Sequence, residues 1–103
     1  MAQIIRGTTP TIEFTFKTVD VSNISGAVLT IRQNGQIVVE KDKTAASVGE
    51  SAVSWTLSQE ESLSLGIGNC KIMLNWILAD GTRGASDNNS VEILPNHVNE
   101  VIT

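Results

Sequence analysis

The stretch Asn69-Cys70-Lys71-Ile72-Met73-Leu74-Asn75-Trp76-Ile77-Leu78-Ala79 decides how the rest of the chain is read. Cys70, Ile72, Leu74, Trp76 and Leu78 share one parity, and all are apolar. The other parity, Lys71, Met73, Asn75 and Ile77, is mixed. A period of two over this length predicts a long strand with one buried face, because successive side chains of an extended chain point to opposite sides. Asp80-Gly81 follows at once. That pair tolerates positive φ and predicts a tight hairpin turn.

Working outward, residues 82–86 pair back and Asp87-Asn88-Asn89 interrupts them. Residues 90–94 close the sheet with Val91 and Ile93 inward, and Pro95 stops it. Before the long strand, Ser58 has Glu61 three residues on, the spacing of a capping box. Residues 59–65 are therefore expected as one or two helical turns, leaning on the core through Leu63 and Leu65 and ending at Gly66. Residues 51–57 form a strand with Val53, Trp55 and Leu57 on one face, and 42–50 a polar loop.

Asn34-Gly35 is a strong hairpin signal, since both residues accept the left-handed conformation of a type I′ turn. It joins strands 27–33 and 36–41, with Leu29 and Ile31 inward on the first and Ile37 and Val39 together on the second. The loop 20–26 carries one apolar anchor, Ile24. Residues 11–17 alternate cleanly, with Ile12, Phe14 and Phe16 on one side. A short strand over 2–6 precedes them, and the Gly7-Thr8-Thr9-Pro10 break invites the chain to change sheets there. Seven or eight short strands with regular turns predict an all-β, immunoglobulin-like antiparallel β-sandwich, one domain spanning 1–103, with the capped turn crossing between sheets.

The bulk composition agrees. Hydrophobic residues make up 41% and charged residues 17% of 103, which suits sheets with neutral polar outer faces better than long solvated helices. The net charge of −4 and a pI near 4.8 come with scattered Lys and Arg, so the clustered cations of a nucleic-acid footprint are missing. No apolar run reaches the roughly 20 residues of a membrane span, and the first ten residues do not read as a secretory signal. The expected place of synthesis and folding is a bacterial cytoplasm, with neither nucleic acid nor membrane as partner.

Chemistry is sparse. Cys70, the one cysteine, falls on the buried parity, where burial disfavours the thiolate a nucleophile needs. His97, the one histidine, lies in a polar tail past Pro95. One Cys and one His do not make a zinc site, and Asp42, Asp80 and Asp87 lack calcium-loop spacing. Glu60 and Glu61 are adjacent and favour a helix N-terminus rather than a facing acid–base pair. No catalytic, metal or cofactor residue is assigned, and the chain is read as a non-enzyme. Trp55 and Trp76 are expected to fill the core. The remaining feature is the second face of the long strand. Met73 and Ile77, with Lys71 and Asn75, would stand in water unless the helical turn and tail, or another chain, covers them; they are the candidate partner interface.

Four segments occur in the order Arg6-Gly7-Thr8-Thr9-Pro10, Leu29-Thr30-Ile31-Arg32-Gln33, Leu57-Ser58-Gln59-Glu60-Glu61-Ser62-Leu63 and Asp80-Gly81-Thr82-Arg83-Gly84-Ala85-Ser86. Across residues 5–94 the chain resembles small phage and prophage structural proteins of gut Firmicutes. More distantly it is similar to the N-terminal domain of the siphophage baseplate upper protein. The resemblance implies an immunoglobulin-like tail- or baseplate-associated module, found with the virion, that works by contact with other phage structural proteins or with itself. The alternatives weighed beside it are a small phage-encoded inhibitor of a host protein and a carbohydrate-binding module. The latter needs exposed aromatics, whereas the four Phe and Trp here all fall on inward parities.

Overall fold

Two sheets stack face to face in the computed structural model, which describes residues 2–103. The larger contains β1 (Ala2–Ile5), β3 (Ile24–Gln33), β4 (Gln36–Asp42), β7 (Gly68–Leu78), β8 (Arg83–Ala85) and β9 (Asn89–Leu94). The smaller contains β2 (Thr11–Thr15), β5 (Ser47–Val48) and β6 (Ala52–Thr56). Strand order is β1-β9-β7-β3-β4 in one and β2-β6-β5 in the other, with β8 beside the far end of β7. This is the immunoglobulin-like sandwich the sequence predicts. The chain changes sheets between β1 and β2 at the Gly7–Pro10 break, and β1 returns to lie parallel to β9.

β7 is the spine. It pairs with β3 on one side and with β8 and β9 on the other. Cys70, Ile72 and Leu74 are buried as expected. Trp76 and Leu78 share their parity but are only half-buried, because they lie at the hairpin end. Trp76 packs edge-on against Phe16, ring centroids 5.0 Å apart. The core continues through Leu29, Ile31, Val53, Trp55, Leu57, Leu65, Val91 and Ile93.

The two hairpins differ in kind. Asn34 and Gly35 have φ of 54° and 78°, the type I′ turn expected. At the other, Gly81 alone is left-handed, with φ 90°. The Gly81 amide donates to Leu78 O and the Leu78 amide to Thr82 O, a three-residue connection in place of a two-residue Asp-Gly turn. Asp80 accepts from the Thr82 amide within it.

Two bulges displace the simple alternation. β4 carries one extra residue at Val38, so Ile31 faces Val39 while Arg32 faces Ile37. Ile37 therefore leaves Val39's face and stands 51% exposed, against the expectation that the two lie together. On β3 the register shifts between Ile24 and Gly26, which lets Ile24 enter the core although its parity differs from that of Ala27, Leu29 and Ile31. The segment 42–50 is not simply a loop: a 3-10 turn over Lys43–Ala45 and the short β5 lie within it.

The capping box forms. Ser58 Oγ accepts from the Glu61 amide, and Glu61 Oε1 accepts from the Ser58 amide. Helix α1 (Gln59–Leu63) is shorter than the 59–65 expected, and the fully buried Leu65 anchors it more deeply than the half-buried Leu63. Burial pushes the Glu61 carboxyl up, but the Ser58 amide and Lys41, whose Nζ lies 2.9 Å away, hold it below its ordinary value of 4.5. A carboxyl lowered on folding stabilises above its unfolded value, and that stability is lost as pH falls through the folded value. The urea midpoint should therefore drop between about pH 6 and about pH 3, and Glu61→Gln should drop less over that range. Equal slopes in the two proteins would remove Glu61 from the acid sensitivity. Asp20, Asp42 and Asp80, lowered by hydrogen bonds from Ser22, Thr44 and Thr82, supply the remaining slope.

Candidate interaction face

The larger sheet has an outer face that the smaller sheet cannot cover. Lys71, Met73, Asn75 and Ile77 project from β7 onto it, all four on the side opposite Cys70, Ile72 and Leu74. Register sets their neighbours: Lys71 faces Arg32, Met73 faces Thr30, Asn75 faces Val28 and Ile77 faces Gly26. The helical turn and the tail are engaged elsewhere, bonding to each other and to Arg6, and Ile77 remains 42% exposed.

A shallow depression of about 400 Å³ lies on this face, lined by Gly26, Val28, Thr30, Asn75, Ile77 and Arg83. Gly26 forms part of its floor, since a Cβ there would sit 3.2 Å from Ile77 Cγ2. Arg83 Nη2 donates to Asn75 Oδ1 at 3.2 Å and fixes one wall. Ser25 Oγ donates to Ile77 O at 3.2 Å. Lys71 Nζ bonds Ser90 Oγ across the β7–β9 pair. Charge is unevenly placed on this face: Glu40 and Asp42 lie on the edge strand β4, whereas Arg32 on β3, Lys71 on the central β7 and Arg83 on β8 are basic.

The sequence identifies the β7 contribution to this face but misses Gly26, Val28, Thr30 and Arg83. Val28 and Thr30 carry a signal, since both fall on the outward parity of β3. Their meeting with β7 does not, because that pairing joins segments more than forty residues apart.

The other candidate groups do not come together. Cys70 is buried, and burial pushes its thiol up, while His97 stands exposed past β9. Among the described residues no group of three or more His, Cys, Asp or Glu is placed to hold a metal ion. No buried side-chain nitrogen or oxygen among them lacks a hydrogen-bond partner. Gln33, which the sequence does not flag, is buried and satisfied: its Nε2 donates to Gly66 O and its Oε1 accepts from the Gly66 amide, both at 2.7 Å.

A scan of the sequence against protein-family models finds no match, and a search among curated proteins finds no relative. Among solved structures the chain is similar to CopC from Methylosinus trichosporium OB3b. The TM-score is 0.62 at 14% identity, over 94% of this chain and 86% of that one. A likeness at that identity establishes a shared β-sandwich fold. The expectation of a phage or prophage lineage is corrected with it: the likeness is to a CopC, and no similarity to a baseplate or tail protein is shown. The virion role implied by that resemblance goes with it, as do the phage-encoded inhibitor and the carbohydrate-binding module. The four segments that carried the resemblance are a sheet entry, a core strand, a capped corner and a hairpin. Each is a device of the fold, so together they mark a sandwich and not a lineage.

Proposed function

We propose that this chain is a non-catalytic module that associates with a second copy of itself through the outer face of its larger sheet. The observation that carries the reading is Val28 and Ile77 lining the depression, with Met73 diagonal to Val28 on β7 and Ile37 exposed on β4 opposite Arg32, all on an open face of three adjacent strands. Single exposed apolar residues are ordinary, whereas neighbouring ones around a depression favour a contact surface. A second copy suits the charge asymmetry. Turned by half a turn about the direction of β3, it lays the acidic edge strand β4 toward β7 and β8, which carry Lys71 and Arg83. A non-enzymatic role fits a molecule whose cysteine is buried and whose histidine stands apart from it. A metal-binding role has no donor cluster to rest on among the described residues.

Sedimentation velocity over a concentration series provides the test. Wild type should associate reversibly, and Ile77→Glu should weaken that association by at least about tenfold, a loss of about 1.4 kcal/mol. The thermal midpoint should hardly move, because exposed substitutions usually stay within about 0.5 kcal/mol. A wild-type chain that stays monomeric up to about millimolar concentration, the range of the weakest associations, would overturn the proposal.

A further inference from the structure

The segment 96–103 is held in an unusual way. It lies beyond β9, contains no strand or helix, and makes no backbone ladder with either sheet. Among the described residues, four hydrogen bonds tie it to the body of the protein. Asn96 Nδ2 donates to Arg6 O at 2.9 Å, and Arg6 Nη1 donates to Asn99 Oδ1 at 3.0 Å. Gln59 Nε2 donates to Ile102 O at 3.0 Å, and the Ile102 amide donates to Gln59 Oε1 at 2.8 Å. One side-chain amide thus reads both backbone groups of a single residue, as a neighbouring strand would. Apolar burial adds little, since Val98, Val101 and Ile102 stay 49%, 39% and 69% exposed.

The receiving groups are built independently of the segment. Arg6 Nε donates to Leu65 O at 2.8 Å and Nη2 to Leu63 O at 2.7 Å, so the guanidinium caps the end of α1 with or without Asn99. Gln59 opens the helix whose start is fixed by the Ser58–Glu61 box. The Gly7 amide donates to the buried Ser62 Oγ at 2.8 Å and pins α1 against the first sheet crossing. The arm is therefore held by side-chain hydrogen bonds alone, while the groups of its seat keep bonds that do not involve the arm. Exposed hydrogen bonds compete with water, and ordering eight residues opposes them. Segments held this way open locally at low cost. Pro95, with no amide to donate, marks where β9 ends and the arm begins.

We propose that 96–103 is an exchangeable arm, and that the seat formed by Arg6 and Gln59 accepts the same segment from a second copy of the chain. The occupant is fixed by what the seat already holds. An identical arm restores the Asn99 and Ile102 contacts without any new complementarity, and two reciprocal exchanges close a symmetric pair. This surface is separate from the outer face of the larger sheet, and either contact can exist without the other.

Crossed thiol trapping tests the exchange on the full chain. Gln59→Cys is placed in one preparation and Ile102→Cys in another, both with Ile77→Glu to silence the outer face. The two are mixed at high concentration under a glutathione couple, with the buried Cys70 shielded from reaction. The unlike pair, one Gln59→Cys chain bridged to one Ile102→Cys chain, is expected to exceed either like pair. It should rise with concentration and fall when excess chain with both native residues is added. A dilute chain carrying both Gln59→Cys and Ile102→Cys should bridge within itself, which shows that the altered seat still takes the arm; with that established, bridging in statistical proportion among like and unlike pairs, or no bridging between chains, overturns the exchange.

Discussion

Trp55→Ala should cost about 3–5 kcal/mol, the usual range for removing a large aromatic from a core. That is a large part of the roughly 5–15 kcal/mol that holds a domain folded. Trp55 is 1% exposed and lies on the middle strand of the smaller sheet. Phe14 meets it edge-on at 6.3 Å with an interplanar angle of 79°, and its Nε1 donates to Asp42 O at 2.9 Å. The indole thus joins three segments: β2 through the ring, the end of β4 through the hydrogen bond, and the core through its area. Trp55→Phe separates these roles. It keeps most of the apolar contact and gives up the hydrogen bond to the Asp42 carbonyl, a loss of about 0.5–1.5 kcal/mol. Urea denaturation followed by far-UV circular dichroism should order the midpoints wild type, Trp55→Phe, Trp55→Ala. A Trp55→Ala protein within about 1 kcal/mol of wild type would mean that the two sheets do not depend on this side chain for their packing.

What the sequence discloses follows how local the governing interaction is. The buried parity of β7, the type I′ turn at Asn34-Gly35, the Ser58–Glu61 box and the change of sheet at Gly7–Pro10 each depend on residues a few positions apart. Their physics can be read from the chain directly. The bulges at Ser25 and Val38 cannot, because a one-residue register shift is set by the partner strand. That is why parity places Ile37 beside Val39 while the structure puts it on the opposite face. β5 escapes notice because two residues carry no period. Gln33 and Arg6 escape for another reason: their partners are carbonyls and amides near α1, supplied by backbone that any sequence would have. The candidate face is half legible. Lys71, Met73, Asn75 and Ile77 declare themselves by parity, while Gly26, Val28, Thr30 and Arg83 join them only through long-range pairing. The lineage is misread for a related reason, since motifs that solve the geometry of a sandwich recur wherever that geometry does.

Gly84→Ala is expected to destabilise by about 1–3 kcal/mol, although it adds a single methyl group to a half-buried position on a short outer strand. Register places Gly84 directly opposite Trp76. A Cβ at Gly84 would lie 2.5 Å from both Cε2 and Cζ2 of the indole and 2.7 Å from Nε1. Those distances are far inside van der Waals contact, so the ring or β8 must move. The ring has little room, because Phe16 packs against it. The substitution should therefore loosen β8 from β7 and the hairpin end of the sandwich with it. Gly49→Ala supplies the contrast. There the nearest atom to a new Cβ is Ala52 O at 3.6 Å, an ordinary contact, and the smaller entropy of the unfolded chain should leave the protein unchanged or stabilised by about 0.4–1 kcal/mol. The decisive measurement is a double-mutant cycle. With Trp76→Ala in place the clash disappears, and Gly84→Ala should cost little. The coupling between the two positions should then fall in the range of about 0.5–3 kcal/mol seen for residues in contact. Additive costs would show that Gly84 is required for some reason other than the indole that lies against it.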